Sequence, residues 1–147
     1  MTVTKKGEYY YGDDQRDLRE VLLKYSENAG YRIDHFKEAS CSCGNTVFEV
    51  LANENEGVAA RICTSCKTEH GIGDSDEYID EVETVEEMEC LCGSNEFQIT
   101  AGVSLYKESD DVRWFYLGLF CPSCHCLGCY ADWKNEYIGY KKLLENI

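Results

Sequence analysis

The pattern of cysteines constrains this chain more than anything else in it. Cys41-Ser-Cys43-Gly44 recurs as Cys90-Leu-Cys92-Gly93, and the match runs on past the glycines. From Cys41 to Cys90, from Phe48 to Phe97 and from Val50 to Ile99 the spacing is 49 positions each time. Each copy is answered by a Cys-x-x-Cys, Cys63 and Cys66 for the first, Cys121 and Cys124 for the second. A chain of 147 residues holding such a repeat reads as two small units. Units of that size bury too little apolar surface to be stable alone and lean on disulfides or metal.

Compartment and spacing decide between the two. Residues 1–11 contain no apolar run of the kind a secretory leader carries, and no stretch of the chain is apolar for long enough to cross a bilayer. A reducing cytoplasm is the expected location, and there closely paired cysteines read as metal ligands. Two cysteines one or two residues apart in a tight turn can face one ion, and Gly44 and Gly93 supply the freedom that such a turn needs. The expected ligands are Cys41, Cys43, Cys63 and Cys66 for one ion, and Cys90, Cys92, Cys121 and Cys124 for the other.

Around these cysteines the chain divides into five stretches. Residues 1–40 are an N-terminal helical segment. Asp13 or Asp14 caps it, Leu18, Val21, Leu22, Tyr25 and Ala29 recur at helical spacing, and Gly30 ends it. This helix is expected to pack on the first unit. Residues 41–80 form a hairpin of Thr46 to Leu51 and Val58 to Ile62, turning at Asn53 to Gly57. Residues 81–89 are an acidic linker, part of a carboxylate run from Asp74 to Glu89 that no Lys or Arg interrupts.

Residues 90–132 form a longer hairpin, because 28 residues separate Cys92 from Cys121 against 19 between Cys43 and Cys63. Its returning arm, Val112 to Phe120, is apolar on both faces and so is expected to be covered on both. In residues 133–147, Trp133, Tyr137, Tyr140, Leu144 and Ile147 make one helical stripe behind an Asp132 cap. That C-terminal helix is expected to dock on Trp114 to Phe120 or to pair two chains in a homodimer.

Two cysteine knuckles joined by a β-hairpin resemble the zinc-ribbon, or rubredoxin-like, family, and this chain resembles it twice over, at residues 41–80 and 90–132. The departure is the first knuckle, Cys-x-Cys-Gly in place of Cys-x-x-Cys. The resemblance implies a small, metal-stabilised α+β fold, two zinc-ribbon hairpins flanked by an N-terminal and a C-terminal helix, with two Zn²⁺ per chain. Iron is the alternative metal. The whole chain is also similar to small bacterial paired-ribbon proteins, a likeness resting on Gly73 to Tyr78 and Ala131 to Tyr137, which brings no activity with it.

A Cys₄ site leaves no open coordination position, so it reads as structural and not catalytic. The formal charge is −14, and two Zn(Cys)₄ centres would take it to roughly −18. Such a surface repels phosphate backbones, which sets nucleic acid aside although many zinc ribbons bind it. The expected function is therefore a non-enzymatic, acidic protein-interaction module, of immunity or inhibitor type, for a basic partner. Exposed tyrosines among Tyr9 to Tyr11 would contribute to its surface. The alternative is a thiol-redox or metal-dependent enzyme using Cys126, Cys129 or His70. Cys126 and Cys129 have no counterpart in the first repeat, where Thr68 and Gly71 stand, and read as buried free thiols. His70 reads as a polar neighbour of a knuckle, donating to a thiolate.

Overall fold

The computed structural model describes residues 3–147. Met1 and Thr2, the start of the expected N-terminal segment, lie outside the described residues. Ten strands and two α-helices follow in the order β1 (Thr4–Lys6), β2 (Tyr9–Tyr11), α1 (Leu18–Ala29), β3 (His35–Glu38), β4 (Phe48–Asn53), β5 (Val58–Cys63), β6 (Glu69–Gly71), β7 (Glu86–Glu87), β8 (Gln98–Leu105), β9 (Val112–Phe120), β10 (Cys126–Tyr137) and α2 (Tyr140–Glu145). They form two antiparallel sheets, one ordered β1-β2-β10-β9-β8-β3 and the other β6-β5-β4-β7.

Period-two burial explains the layering. Phe48, Val50 and Ala52 of β4 turn inward, and they share one core with Ile99, Ala101 and Val103 of β8 and with Phe115, Leu117 and Leu119 of β9. This core lies between the sheets. The alternate residues of β9 point the other way, where Tyr116 and Phe120 meet Leu18, Val21 and Leu22 of α1. The approach is close: a Cβ on Gly118 would stand 2.6 Å from Leu22 Cδ1. The returning arm of the second hairpin is thus covered on both faces, as its composition implied. A 3₁₀ turn at Gln15–Asp17, capped by Asp14, leads into α1, and Gly30 at φ 90° ends it. The expected seat of this helix on the first unit is corrected: it lies on β9 and β10 of the second.

The two repeats are interlocked by hydrogen bonds that obey the 49-residue repeat. Phe48 and Phe97, equivalent by sequence, exchange both backbone bonds with each other, each at 2.8 Å. Ala39 N–H donates to Ile99 O at 2.9 Å, and its equivalent, Met88 N–H, donates to Val50 O at 2.8 Å. So β3, which leads into the first knuckle, pairs with β8 of the second repeat. In return β7, which leads into the second knuckle, pairs with β4 of the first. An approximate two-fold axis therefore passes between Phe48 and Phe97.

The C-terminal helix expected over residues 133–147 is only partly there. Trp133 to Tyr137 continues β10, and only Tyr140–Glu145 is helical, after Gly139 at φ 83°. Asp132 caps nothing; its carboxylate accepts from Trp114 Nε1 at 3.0 Å and Tyr25 Oη at 3.3 Å. The strand wins because Ala131, Trp133 and Asn135 also alternate with polar neighbours, and β9 offers them a partner edge. Trp133 does reach the expected receiver: it is paired with Phe115 across the sheet, ring centroids 4.9 Å apart. The end of the chain then straps the first repeat. Asn146 O accepts from Gly73 N–H and from His70 Nε2, both at 2.8 Å, and Arg61 Nε donates to Ile147 O at 3.1 Å.

Candidate metal centres

Each centre is assembled from two turns with the same internal bonding. In the first, Gly44 at φ 94° lets its N–H return to Cys41 O at 2.8 Å, and Cys41 N–H reaches Asn45 O at 2.8 Å. In the second, Gly93 at φ 92° closes on Cys90 O at 2.9 Å, and Cys90 N–H reaches Ser94 O at 2.8 Å. The Cys-x-x-Cys turns match as well: Lys67 N–H donates to Cys63 O at 3.0 Å and His125 N–H to Cys121 O at 2.8 Å, each from positive φ. The shortened Cys-x-Cys-Gly knuckle therefore still aims both thiols at one point.

The structure brings together both expected quartets. In Cys41, Cys43, Cys63 and Cys66, and again in Cys90, Cys92, Cys121 and Cys124, all four sulfurs lie within 4.8 Å of one another. Four Sγ pairs measure 3.6 Å (Cys41 and Cys66), 3.6 Å (Cys43 and Cys63), 3.5 Å (Cys90 and Cys124) and 3.7 Å (Cys92 and Cys121). A disulfide is about 2.05 Å long, so these are separate thiols. A tetrahedral ion with ligand bonds of about 2.3 Å has sulfur–sulfur edges of about 3.8 Å. The two groups fit a metal ion, and this geometry is consistent with tandem zinc-ribbon-like sites. In both, two cysteines are buried and the other two are more accessible, so each centre sits at the rim of the fold.

What surrounds the sulfurs differs. At the first centre Cys63 Sγ accepts from Cys66 N–H at 3.4 Å and from Asn45 Nδ2 at 3.2 Å. These donors, the Cys66 N–H first, draw the Cys63 thiol down to about 5. Arg61 is 6 % exposed, its guanidinium 4.5 Å above the Phe48 ring, and its Nη2 donates to Ser40 O at 3.4 Å. Burial pulls Arg61 down from its ordinary value, and the Cys41 sulfur is the first group to oppose that. Arg61 is thus a buried cation beside a set of cysteine sulfurs. By alignment Leu119 holds its place in the second repeat, and a leucine supplies no charge.

Around the second centre stand Cys126, Tyr11 and Tyr130 instead. Burial, and then the Cys90 sulfur, push Cys126 up to about 11 and push the Tyr130 phenol up as well. Cys126 belongs to the core between the sheets. Cys129 is corrected to half-buried: its Sγ donates to Ala131 O at 3.3 Å, and lost hydration raises its thiol. His70 is corrected: its Nε2 donates to the Asn146 carbonyl and not to a thiolate. The tyrosines are corrected too. Tyr9 is exposed, but Tyr10 and Tyr11 are half-buried, and Tyr11 packs on the core.

Sequence reasoning missed Asn45 and Arg61 as neighbours of the first centre. Arg61 had a signal, since it stands two residues before Cys63 in a strand and so shares its face. Arg61→Met is expected to weaken metal retention at the first centre about tenfold and leave the second unchanged. Stopped-flow release to a chromogenic chelator checks it; equal effects on both release phases would make Arg61 a packing residue only.

Comparison with known proteins found no matching family model, no matching curated protein and no matching solved structure. Among the described residues, no helix is long and apolar enough to cross a membrane.

Proposed function

We propose that this chain is a non-catalytic module with two structural Cys₄ zinc centres, and that it works by binding a basic protein through its acidic surface. One observation carries the reading: each centre commits four converging cysteines to one point, in turns that tie the strands together, and leaves no position for substrate. Zinc is preferred to iron because it imposes no electronic geometry on the shortened knuckle. Reduced thiols in ten cysteines suit the cytoplasm. The formal charge of −14 favours a cationic partner, and a role as inhibitor or immunity protein toward a basic enzyme fits it. In the redox alternative Cys129 and His70 would first have to leave their carbonyl partners.

Native mass spectrometry of protein purified without added metal should find two zinc ions, with Cys126 and Cys129 unlabelled by iodoacetamide. One ion, iron, or fast labelling at either thiol would turn the assignment to the redox reading. Capture on the immobilised protein should retain basic proteins and release them as salt rises. An empty or acidic set would remove the partner from this proposal.

A further inference from the structure

The structure contains a strand edge left open beside a groove. β2 pairs with β10 only through Cys126↔Tyr11 and Leu127↔Tyr10. Beyond Leu127 no strand pairs with that side of β10 among the described residues, although β9 follows its other side as far as Tyr137. The edge is interrupted further on, where Glu54 Oε2 accepts Asp132 N–H at 2.9 Å. The open length is therefore Gly128 to Ala131, with a bulge at Tyr130, and within it the Ala131 carbonyl already accepts from Cys129 Sγ at 3.3 Å. The bulge and the Glu54 contact blunt this edge without covering it, and an uncovered edge can recruit another strand through its main-chain groups.

Two hollows adjoin this stretch, and Tyr130 lines both. One, about 320 Å³, lies over Leu127 to Tyr130 between Tyr9, Leu91 and Glu89. The other, about 370 Å³, continues past Ala131 between the β4 turn at Glu54 and the side chains of Glu86 and Met88. Leu91 is 61 % exposed and Tyr9 44 %. Glu54, Glu86 and Glu89 are exposed at the rim, and no Lys or Arg lines either hollow.

We infer that this edge takes up an extended segment of a basic partner as an added strand, in line with β2 and paired to Gly128–Ala131. Main-chain bonds to β10 supply the attachment. Alternate side chains of the segment fall on Tyr9, Leu91, Tyr130 and Met88, while Lys or Arg residues set their stems on these surfaces and their charges against the three glutamates. Charge selects the occupant. A second copy of this chain brings another −14 to the same rim, and a nucleic acid is repelled likewise. The inference rests on the acidic-module reading above and names the kind of segment that the module takes.

The test is an amide NMR titration of the metal-loaded full chain with a capped synthetic peptide of alternating Lys and Val. Three comparisons accompany it: the same peptide with its Val amides N-methylated, a Glu and Val peptide, and the Glu86→Lys protein, first shown to hold two metals. Expected are saturable shifts and slowed hydrogen exchange at Gly128–Ala131. N-methylation should abolish both, the Glu and Val peptide should not bind, and Glu86→Lys should weaken binding about tenfold. Shifts confined to residues 74–89 and indifferent to N-methylation would overturn the added strand and leave the acidic module standing. Binding of the Glu and Val peptide as tight as that of the Lys and Val peptide would overturn the basic occupant. Silence at Gly128–Ala131 overturns the strand, and if capture also yields no basic protein the module reading falls with it.

Discussion

Cys121→Ser should remove one of two metal ions and take much of the cooperative fold with it. Cys121 is 0 % exposed and follows directly on β9, the strand whose two faces carry both cores. Its backbone anchors the turn into β10, through Cys121 N–H to Cys126 O at 3.0 Å and His125 N–H to Cys121 O. A structural Cys₄ zinc site contributes an apparent ~10 kcal/mol or more, as much as the whole stability of a typical domain. Serine is a poor ligand, so even partial loss of that term should exceed about 5 kcal/mol, or roughly 10–20 °C in the melting temperature at this chain length. Cys126→Ser provides the contrast. Cys126 is buried 4 % exposed beside the same centre but stands outside the converging four. It should keep both ions and shift the melt by only a few degrees. Native mass spectrometry with a thermal melt reads both. Two ions and an unchanged melt in Cys121→Ser would mean that the quartet is no metal centre, and a lost ion in Cys126→Ser would mean that Cys126 is the ligand.

The parts of this molecule that were legible in the sequence are those with short-range causes. Each knuckle is a turn closed over three or four residues, so Cys41 and Cys43, or Cys121 and Cys124, declare themselves by spacing. The hairpin between β4 and β5 follows from one turn with Gly57 at φ 67°. Gly30 ends α1 by its own backbone. What stayed hidden depends on partners far along the chain. Trp133 to Tyr137 satisfies both a helical and an alternating pattern, and only the edge of β9 decides between them. The 49-residue repeat announces two equivalent units, but it holds equally for units set side by side and for units that exchange strands. That β3 pairs with β8 and β7 with β4 is settled by the shared core, in which Phe48, Val50, Phe97 and Ile99 are all 0 % exposed. Tyr9–Tyr11 shows no apolar periodicity, because its place comes from pairing alongside the start of β10.

Phe97→Ala should weaken both halves of the molecule together, by about 3–5 kcal/mol. Phe97 and Phe48 flank the approximate two-fold axis, bond to each other through the backbone, and are both fully buried in the shared core. Phe97 also meets the Tyr130 ring at 5.3 Å, beside the second centre, while Phe48 lies beneath Arg61, beside the first. A cavity at one ring therefore reaches the surroundings of one centre directly, and those of the other through the Phe48–Phe97 backbone pair and the shared core. Denaturation followed at tryptophan, by far-ultraviolet circular dichroism and by metal release should remain one transition, moved to lower denaturant with its slope kept. Phe48→Ala should cost a similar amount. The double variant should cost less than the two added together, by 0.5–3 kcal/mol in rough terms, because the two residues are bonded to each other through the backbone and share one core. Independent ribbons predict the opposite: two transitions in Phe97→Ala, early release from the second centre only, and strict additivity. That outcome would reduce the exchange of β3 and β7 to a loose tether, whereas a single shifted transition makes the two metal centres staples of one shared core.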